Sequence, residues 1–235
     1  MKPLSLDTSP EAQAVQIGIW RKLTAARKLE ITRSSIQAGF ATKNSELAQM
    51  DPFAIASLVT RVLEAHGIEY FLGGSIASTI HGEPRFTQDV DIVVRLKREH
   101  VALLCRQLEG DFYARQTGLH EAVERRSCAN LIHLETGFKI DLMVSRERAF
   151  ETSRFARKQT VVQGAHQFQV ASAEDIVLVK LEWYRLGGET SDRQWRDILT
   201  VLMTRETLDR DYLEGWANEL GVADLLARAC HEALS

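Results

Sequence analysis

Residues 71–91 read FLGGSIASTIHGEPRFTQDVD, and this stretch decides how the rest of the chain is interpreted. The glycine pair Gly73 and Gly74 comes first with Ser75, and the carboxylates of Asp89 and Asp91 follow after a spacer of thirteen residues. Because side chains alternate along a β-strand, the order Asp-X-Asp places both carboxylates on one face of a sheet. The apolar residues that alternate with them then point into a core.

Two neighbouring carboxylates on one face repel each other, and they stay ionised at small cost only if a cation lies between them. A set of oxygen ligands of this kind suits Mg²⁺ or Mn²⁺. The glycines upstream predict a tight turn whose backbone N–H groups hold phosphate oxygens. The stretch therefore indicates a metal-dependent site for a nucleoside triphosphate.

The composition is that of an ordinary globular protein. The 235 residues are 45% hydrophobic and 26% charged, and the net charge of −3 predicts no global attraction to nucleic acid or to an anionic membrane. Three widely spaced cysteines, Cys105, Cys128 and Cys230, indicate neither a disulfide framework nor a zinc site. With no secretory signal and no apolar run of membrane-spanning length, we expect a cytoplasmic protein without a membrane partner.

The order of elements predicts an α/β (α+β) fold in three parts. Residues 1–50 form a helical N-terminal arm, residues 51–171 a small mixed β-sheet core, and residues 172–235 a helical C-terminal bundle that closes the nucleotide cleft. A basic cluster in the arm, Arg21, Lys22, Arg27 and Lys28, favours a solvated helix face, and contact with an anionic partner remains an alternative.

A third carboxylate lies in a later strand. Asp141 stands between Ile140 and Leu142, and an ionisable residue in an apolar strand breaks a local rule in the way that functional sites do. A structural acid is the alternative. Lys139 lies on the same strand face by the period of two and is expected to balance charge.

Together, Leu72-Gly73-Gly74-Ser75, the spacer, Asp89-Val90-Asp91-Ile92 and a later strand aspartate resemble the signature of the DNA polymerase β-type nucleotidyltransferase superfamily. The spacer is at the long end of the range typical of that family. Within it, residues 73–94 are similar to the AbiEii-type and minimal nucleotidyltransferase branch of toxin–antitoxin and phage-defence systems. The resemblance covers about residues 53–230, so the arm, residues 1–50, lies outside it.

The resemblance implies roles for individual residues. Asp89, Asp91 and Asp141 would ligate the metal, and Asp141 would also help to deprotonate the attacking hydroxyl. Nucleotide binding would involve the glycine turn, its serine, the loop before the second strand and two later helices: Gly73, Gly74, Ser75, Arg85, Thr87, Lys180 and Asp197. For Arg85 an ion pair with Glu83 or with a carboxylate of the triad is an equal alternative. For Asp197 the alternatives are an ion pair with Arg193, four residues earlier on the helix, and a pair with Lys180.

The predicted activity is transfer of a nucleoside monophosphate from an NTP such as ATP to an acceptor hydroxyl, with release of pyrophosphate and dependence on Mg²⁺ or Mn²⁺. The acceptor class stays open among RNA such as tRNA, protein and small molecules. The alternative is a non-catalytic protein of the same fold that serves as an antitoxin or a nucleotide-binding protein.

Overall fold

A computed structural model of the protein describes residues 10–41, 51–85, 87 and 89–234. The chain divides into two compact units. The first comprises Met1–Lys28, Ala77–Pro84 and Ser172–Ser235, and the second comprises Leu29–Ile76 and Arg85–Ala171. The predicted α+β class with a mixed sheet is confirmed.

The described residues form seven strands and eleven helices. The strands, all in the second unit, are β1 (Tyr70–Leu72), β2 (Asp89–Val94), β3 (Phe112–Tyr113), β4 (Cys128–His133), β5 (Lys139–Val144), β6 (Gln159–Gln163) and β7 (His166–Val170). The helices are α1 (Pro10–Lys22), α2 (Ala25–Ala41), α3 (Pro52–Ala65), α4 (Gly74–His81), α5 (Arg98–Leu108), α6 (Gln116–Arg125), α7 (Ala149–Arg157), α8 (Ala173–Leu186), α9 (Asp192–Thr204), α10 (Arg210–Glu219) and α11 (Ala223–Leu234).

The sheet has the order β3-β4-β5-β2-β1-β7-β6. Strand β2 runs antiparallel to β1 and parallel to β5, so it lies near the middle of the sheet with a paired strand on each side. A strand in that position has no free edge, and its register is fixed by both neighbours. Any side chain on β2 is therefore held firmly in place relative to β1 and β5.

Burial alternates along the parts of β2 and β5 that carry the acidic residues. In β2 the side chains of Val90 and Ile92 are fully buried, and in β5 those of Ile140 and Leu142 are as well. The residues between them are only partly buried. One face of β2 and β5 therefore packs in the core of the second unit, and the other carries the polar residues.

Two helix starts follow the capping rules that their sequences predict. The Asp51 carboxylate accepts hydrogen bonds from the N–H groups of Phe53 and Ala54 at the start of α3. The Ser172 hydroxyl accepts from the N–H of Asp175 at the start of α8. An N-cap of this type contributes about 1 kcal/mol, and it sets the residue at which each helix begins.

The N-terminal arm is helical where the structure describes it, although part of its basic cluster departs from the predicted solvated face. Residues 1–9 and 42–50, which the arm was expected to include, lie outside the described residues. Ile17 is buried, but Val15 and Ile19, which share an apolar spacing with Leu23, are exposed. Within the basic cluster, Arg21 donates to the carbonyl oxygen of Met203 at 2.7 and 2.9 Å.

Lys28 is a second departure from the predicted solvated face, because only 3% of the residue is exposed. Burial, together with the positive charge of Arg205, lowers the pKa of Lys28 from 10.5 to about 8. Below pH 8 the ammonium is charged in both the folded and the unfolded chain, so folding bears the full cost of burying it. Between pH 8 and 10.5 the native state releases the proton first, and the free energy of unfolding rises.

We therefore expect Lys28→Met to raise the free energy of unfolding at pH 7 by about 1 to 2 kcal/mol, because methionine keeps an unbranched apolar stem without the charge. The gain should shrink between pH 8 and 10.5. Urea unfolding of both proteins at several pH values checks this. Lys22→Met, at an exposed position of the same arm, is the control. A gain that does not depend on pH would contradict the explanation.

None of the helices in the described part of the chain is both long and apolar enough to cross a membrane.

Candidate active site

Two of the three predicted carboxylates lie side by side on β2. Asp89 and Asp91 are both partly exposed, whereas Val90 between them is fully buried. This is the arrangement that the period of two predicts, because residues two apart on a strand share a face. The polar face of β2 therefore presents both carboxylates.

The third carboxylate is brought to the same face by the register of β5. In this parallel pairing Asp91 lies opposite Asp141 and Asp89 lies opposite Lys139. Paired residues on neighbouring strands point to the same face of the sheet. The structure thus brings Asp89, Asp91 and Asp141 together, although fifty residues separate the second from the third.

Lys139 is the cation of this cluster. Its Nζ atom lies 2.8 Å from Oδ2 of Asp141 and 3.5 Å from Oδ2 of Asp89, so the ammonium bridges two of the three carboxylates. The hydrogen bond to Asp141 raises the pKa of Lys139 above its ordinary value. The expectation that Lys139 balances the charge is confirmed by these contacts.

Two further side chains hold the carboxylates in place. The Thr87 hydroxyl donates to Oδ1 of Asp89 at 3.0 Å, and Thr87 is almost fully buried. The Asn130 amide donates to Oδ1 of Asp141 at 2.5 Å from the neighbouring strand β4. Thr87, predicted to bind nucleotide, therefore contacts Asp89 itself, and its contact with a nucleotide stays a prediction.

Asn130 was missed by reasoning from the sequence. It lies directly opposite Asp141 in the antiparallel pairing of β4 with β5. The signal that would have found it is the hairpin turn between these strands, because the length of a turn fixes which residues face each other.

The glycine turn lies against the second carboxylate. The N–H of Gly73 donates to the backbone oxygen of Asp91 at 2.9 Å, so this donor is already used in a hydrogen bond to strand β2. Gly74 has a φ of +46°, and a Cβ atom at this position would overlap the Asp91 carboxylate. The absence of a side chain at Gly74 is therefore what lets Asp91 approach the turn. The predicted contact with phosphate is then left to Gly74 and Ser75. That contact stays a prediction.

Arg85 lies beside the same turn. Its Nη2 atom donates to the hydroxyl of Ser75 at 2.9 Å. The Glu83 carboxylate, one alternative partner predicted for Arg85, accepts two hydrogen bonds from the Arg196 guanidinium at 2.8 and 2.9 Å. Arg85 thus places a guanidinium next to the serine that is predicted to contact phosphate.

The charges of the carboxylates influence the pKa of a neighbouring thiol. Cys128 belongs to β4, two residues before Asn130, and the residue is exposed. Loss of hydration around the sulfur, with the charges of Asp141 and Asp91, nevertheless raises the pKa of its thiol to about 11.

The fit of these residues to a divalent cation follows from their donors and from the cation that they already hold. In residues 10–41, 51–85, 87 and 89–234, no three His, Cys, Asp or Glu side chains are placed to hold a metal ion together. Instead, the Lys139 ammonium lies between Asp89 and Asp141. Because these carboxylates accept a cation there and carboxylate oxygens are the ligands that Mg²⁺ and Mn²⁺ prefer, the residues fit such a metal once Lys139 moves away.

Lys180 and Asp197, the two predicted nucleotide-binding residues of the first unit, contact each other. Lys180 Nζ lies 2.8 Å from Oδ2 of Asp197, and the two side chains are only 12% and 7% exposed. The predicted alternative for Asp197, a pair with Lys180, is what the structure has. Contact of either residue with a nucleotide stays a prediction.

We expect the buried pair to couple strongly. In a double-mutant cycle of Lys180→Met and Asp197→Asn, the coupling energy should be about 1 to 3 kcal/mol, because either single change leaves a buried charge without its partner. Urea unfolding of the four proteins measures it. The pair Arg185 and Glu189, in which both side chains are more than a third exposed, is the control and should couple by less than about 0.5 kcal/mol. Equal coupling in the two pairs would contradict this expectation.

Comparisons with known proteins give partial likenesses. No protein-family model and no curated protein matches the chain. Among solved structures, the chain is similar to an antigenic nucleotidyltransferase-like protein from Paracoccidioides brasiliensis, with 18% identity and a TM-score of 0.48 over 75% of this chain and 93% of that one.

It is also similar to the lincosamide antibiotic adenylyltransferase LnuA in its lincomycin-bound form, with 14% identity and a TM-score of 0.43 over 65% of this chain and 97% of that one. A third similar structure is the antibiotic-resistance factor ANT(2'')-Ia, with 11% identity and a TM-score of 0.40 over 77% of this chain and 96% of that one. At TM-scores of 0.40 to 0.48, function has to be argued from the side chains of the site.

Proposed function

We propose that the protein is a metal-dependent nucleotidyltransferase, which moves a nucleoside monophosphate from an NTP such as ATP to an acceptor hydroxyl and releases pyrophosphate. The observation that carries this proposal is the parallel register of β2 and β5, with Asp91 beside Asp141 and Asp89 beside Lys139. Three carboxylates on one face of a sheet, next to a glycine turn at the start of a helix, would form a site for a divalent cation and a phosphate chain.

Asp89, Asp91 and Asp141 would hold Mg²⁺ or Mn²⁺. When bound, such a cation neutralises charge on the attacking and leaving oxygens of a phosphoryl group. The chain's own contribution is to hold the carboxylates in position. Thr87 does so for Asp89 and Asn130 does so for Asp141, each by one hydrogen bond to the Oδ1 atom.

The triphosphate would bind at the glycine turn. Gly74 and Ser75 form the first residues of α4, and the N-terminus of a helix favours an anion because its N–H groups and its dipole both point there. Arg85 adds a guanidinium that already contacts the Ser75 hydroxyl. The planar fork of an arginine suits phosphate oxygens, so these three residues would orient the phosphate chain.

Asp141 would position the acceptor hydroxyl and take up its proton. Its Oδ1 atom accepts from Asn130 and its Oδ2 atom contacts Lys139. Of the two oxygens, Oδ2 is the one that becomes accessible when Lys139 moves. Alignment of the hydroxyl with the phosphorus, rather than covalent chemistry by the protein, would supply much of the acceleration.

A second candidate function is a non-catalytic nucleotide-binding protein or antitoxin of the same fold. The observation that favours it is the ammonium of Lys139, which bridges two of the three carboxylates where a catalytic metal would bind. If that bridge is permanent, the protein binds nucleotides without transferring them.

One experiment separates the two candidates. The protein is incubated with each α-labelled NTP, Mg²⁺ and a pool of tRNA, protein and small molecules, while pyrophosphate release and label transfer are measured. Transfer with stoichiometric pyrophosphate supports the enzyme. NTP binding without pyrophosphate supports the second candidate, and neither binding nor release contradicts both.

The labelled acceptor in the same experiment assigns the substrate class. Transfer to tRNA or protein would agree with the toxin–antitoxin branch that residues 73–94 resemble, and transfer to a small molecule would place the protein among modifying enzymes. Of the basic cluster in the N-terminal arm, Lys22 and Arg27 are exposed, and these two residues favour an RNA or protein acceptor. Lys22→Glu together with Arg27→Glu should then lower transfer to such an acceptor without weakening NTP binding.

A further inference from the structure

The position of Lys139 has a consequence for the proposed metal site. Its ammonium contacts Oδ2 of Asp141 at 2.8 Å and Oδ2 of Asp89 at 3.5 Å, and the register of β2 with β5 places its backbone beside that of Asp89. A divalent cation bound by the same two oxygens would lie where the ammonium now lies. Two cations do not share that space, because they overlap and repel each other.

The Lys139 side chain can move away from the carboxylates. Its side chain is 39% exposed, whereas that of Asp141 is only 14% exposed, so the lysine has a path into solvent and the carboxylate does not. Releasing the ammonium restores the freedom of a long side chain, which offsets part of the ion-pair energy. The carboxylates stay in place meanwhile, since Thr87 and Asn130 hold their other oxygens.

The third carboxylate is outside this exchange. Asp91 lies against the glycine turn. The ion pairs of Lys139 join the lysine to Asp89 and Asp141. The ammonium therefore covers only part of the cluster.

We propose that the Lys139 ammonium and a divalent cation compete for the same oxygens of Asp89 and Asp141, so that Lys139 sets the metal affinity of the site and is displaced when the metal binds. This inference rests on the proposed function for the identity of the metal site. In the absence of metal, Lys139 takes the place of the cation and offsets the repulsion between the Asp89 and Asp141 carboxylates. Lys139 is thus a positioning residue, which contacts the carboxylates when no metal is bound and is displaced when the metal binds.

The test measures Mn²⁺ binding to the full chain without nucleotide, by electron paramagnetic resonance of free Mn²⁺ and by calorimetry. Lys139→Met removes the competing charge and keeps an unbranched stem, so Mn²⁺ should bind about tenfold more tightly, a change of about 1.4 kcal/mol. Lys139→Arg keeps the charge and should stay within about threefold of the original affinity. Lys158→Met removes a lysine that pairs with Glu69 in the same unit and should leave the affinity unchanged.

Thermal unfolding supplies a second readout, which a purely structural lysine would not produce. Without metal, Lys139→Met should unfold at a lower temperature than the original protein, and saturating Mn²⁺ should raise its midpoint by more. Lys139→Gln, which keeps a hydrogen-bond donor for the carboxylates, serves if the methionine variant does not fold, and it should show the same direction of change.

Affinity that is unchanged or weaker in Lys139→Met and Lys139→Gln overturns the proposal, and so does an absence of Mn²⁺ binding in all the proteins. Failure of the proposed function looks different. A protein that binds Mn²⁺ more tightly without Lys139 but releases no pyrophosphate from any NTP keeps the competition and loses the enzymatic activity.

Discussion

Asp89→Asn is expected to lower Mg²⁺-dependent pyrophosphate release by roughly a thousandfold or more, because a metal ligand that stabilises transition-state charge supplies several kcal/mol. Asparagine has nearly the same shape as aspartate, and it lacks the negative charge that a divalent cation requires. The hydrogen bond from the Thr87 hydroxyl can still be accepted by the amide oxygen. The fold should therefore survive the substitution that removes the activity.

Steady-state turnover with the NTP and acceptor identified by labelling measures the effect, and thermal unfolding verifies that the variant is folded. Asp111→Asn is the matched control, because Asp111 is an exposed acid of the same unit outside β2 and β5. It should change turnover by less than about twofold. If Asp89→Asn keeps turnover within tenfold of the original protein, Asp89 is not a metal ligand and the assignment of the cluster is wrong.

The strands and the carboxylate face were predictable because they depend on local rules. The period of two placed Asp89 and Asp91 together on one face, and the apolar neighbours of Asp141 marked its strand. Capping rules placed the start of α3 at Asp51 and that of α8 at Ser172. Each of these features is decided by residues within a few positions of one another.

What could not be predicted depends on register between distant segments. The pairing of β2 with β5 decides that Lys139 lies beside Asp89, and nothing in the sequence near Asp89 encodes it. Asn130 differs, because it reaches Asp141 through the pairing of β4 with β5, and the turn of the hairpin that joins these two strands offered a local signal. Tertiary contacts also overrode the local pattern at Lys28, where a basic residue expected to be solvated is buried.

The glycine turn depends both on local rules and on the pairing of distant strands. A glycine pair before a helix predicts a backbone that needs positive φ, and Gly74 has a φ of +46°. That Gly74 also makes room for a carboxylate from another strand becomes evident only when β2 is placed beside β1. The residue type was therefore predictable, and its second physical reason was not.

Gly74→Ala is expected to be the most disruptive small substitution in this site. A side chain at a φ of +46° costs about 1 kcal/mol, and the added methyl group would overlap the Asp91 carboxylate, which adds roughly 1 to 3 kcal/mol. The free energy of unfolding should therefore fall by about 2 to 4 kcal/mol. Because relief of the overlap moves Asp91, NTP turnover should fall by at least about a hundredfold even where the protein is folded.

A matched glycine separates the two costs. Gly67 has a φ of +63° and open space around the position of a Cβ atom, so Gly67→Ala carries the backbone cost without the overlap. Urea unfolding should place Gly67→Ala about 1 kcal/mol below the original protein, with turnover unchanged. The difference between the two variants then measures how closely Asp91 approaches the turn. If both lose the same stability and both keep their turnover, the Asp91 carboxylate does not lie against Gly74, and the glycine serves the backbone alone.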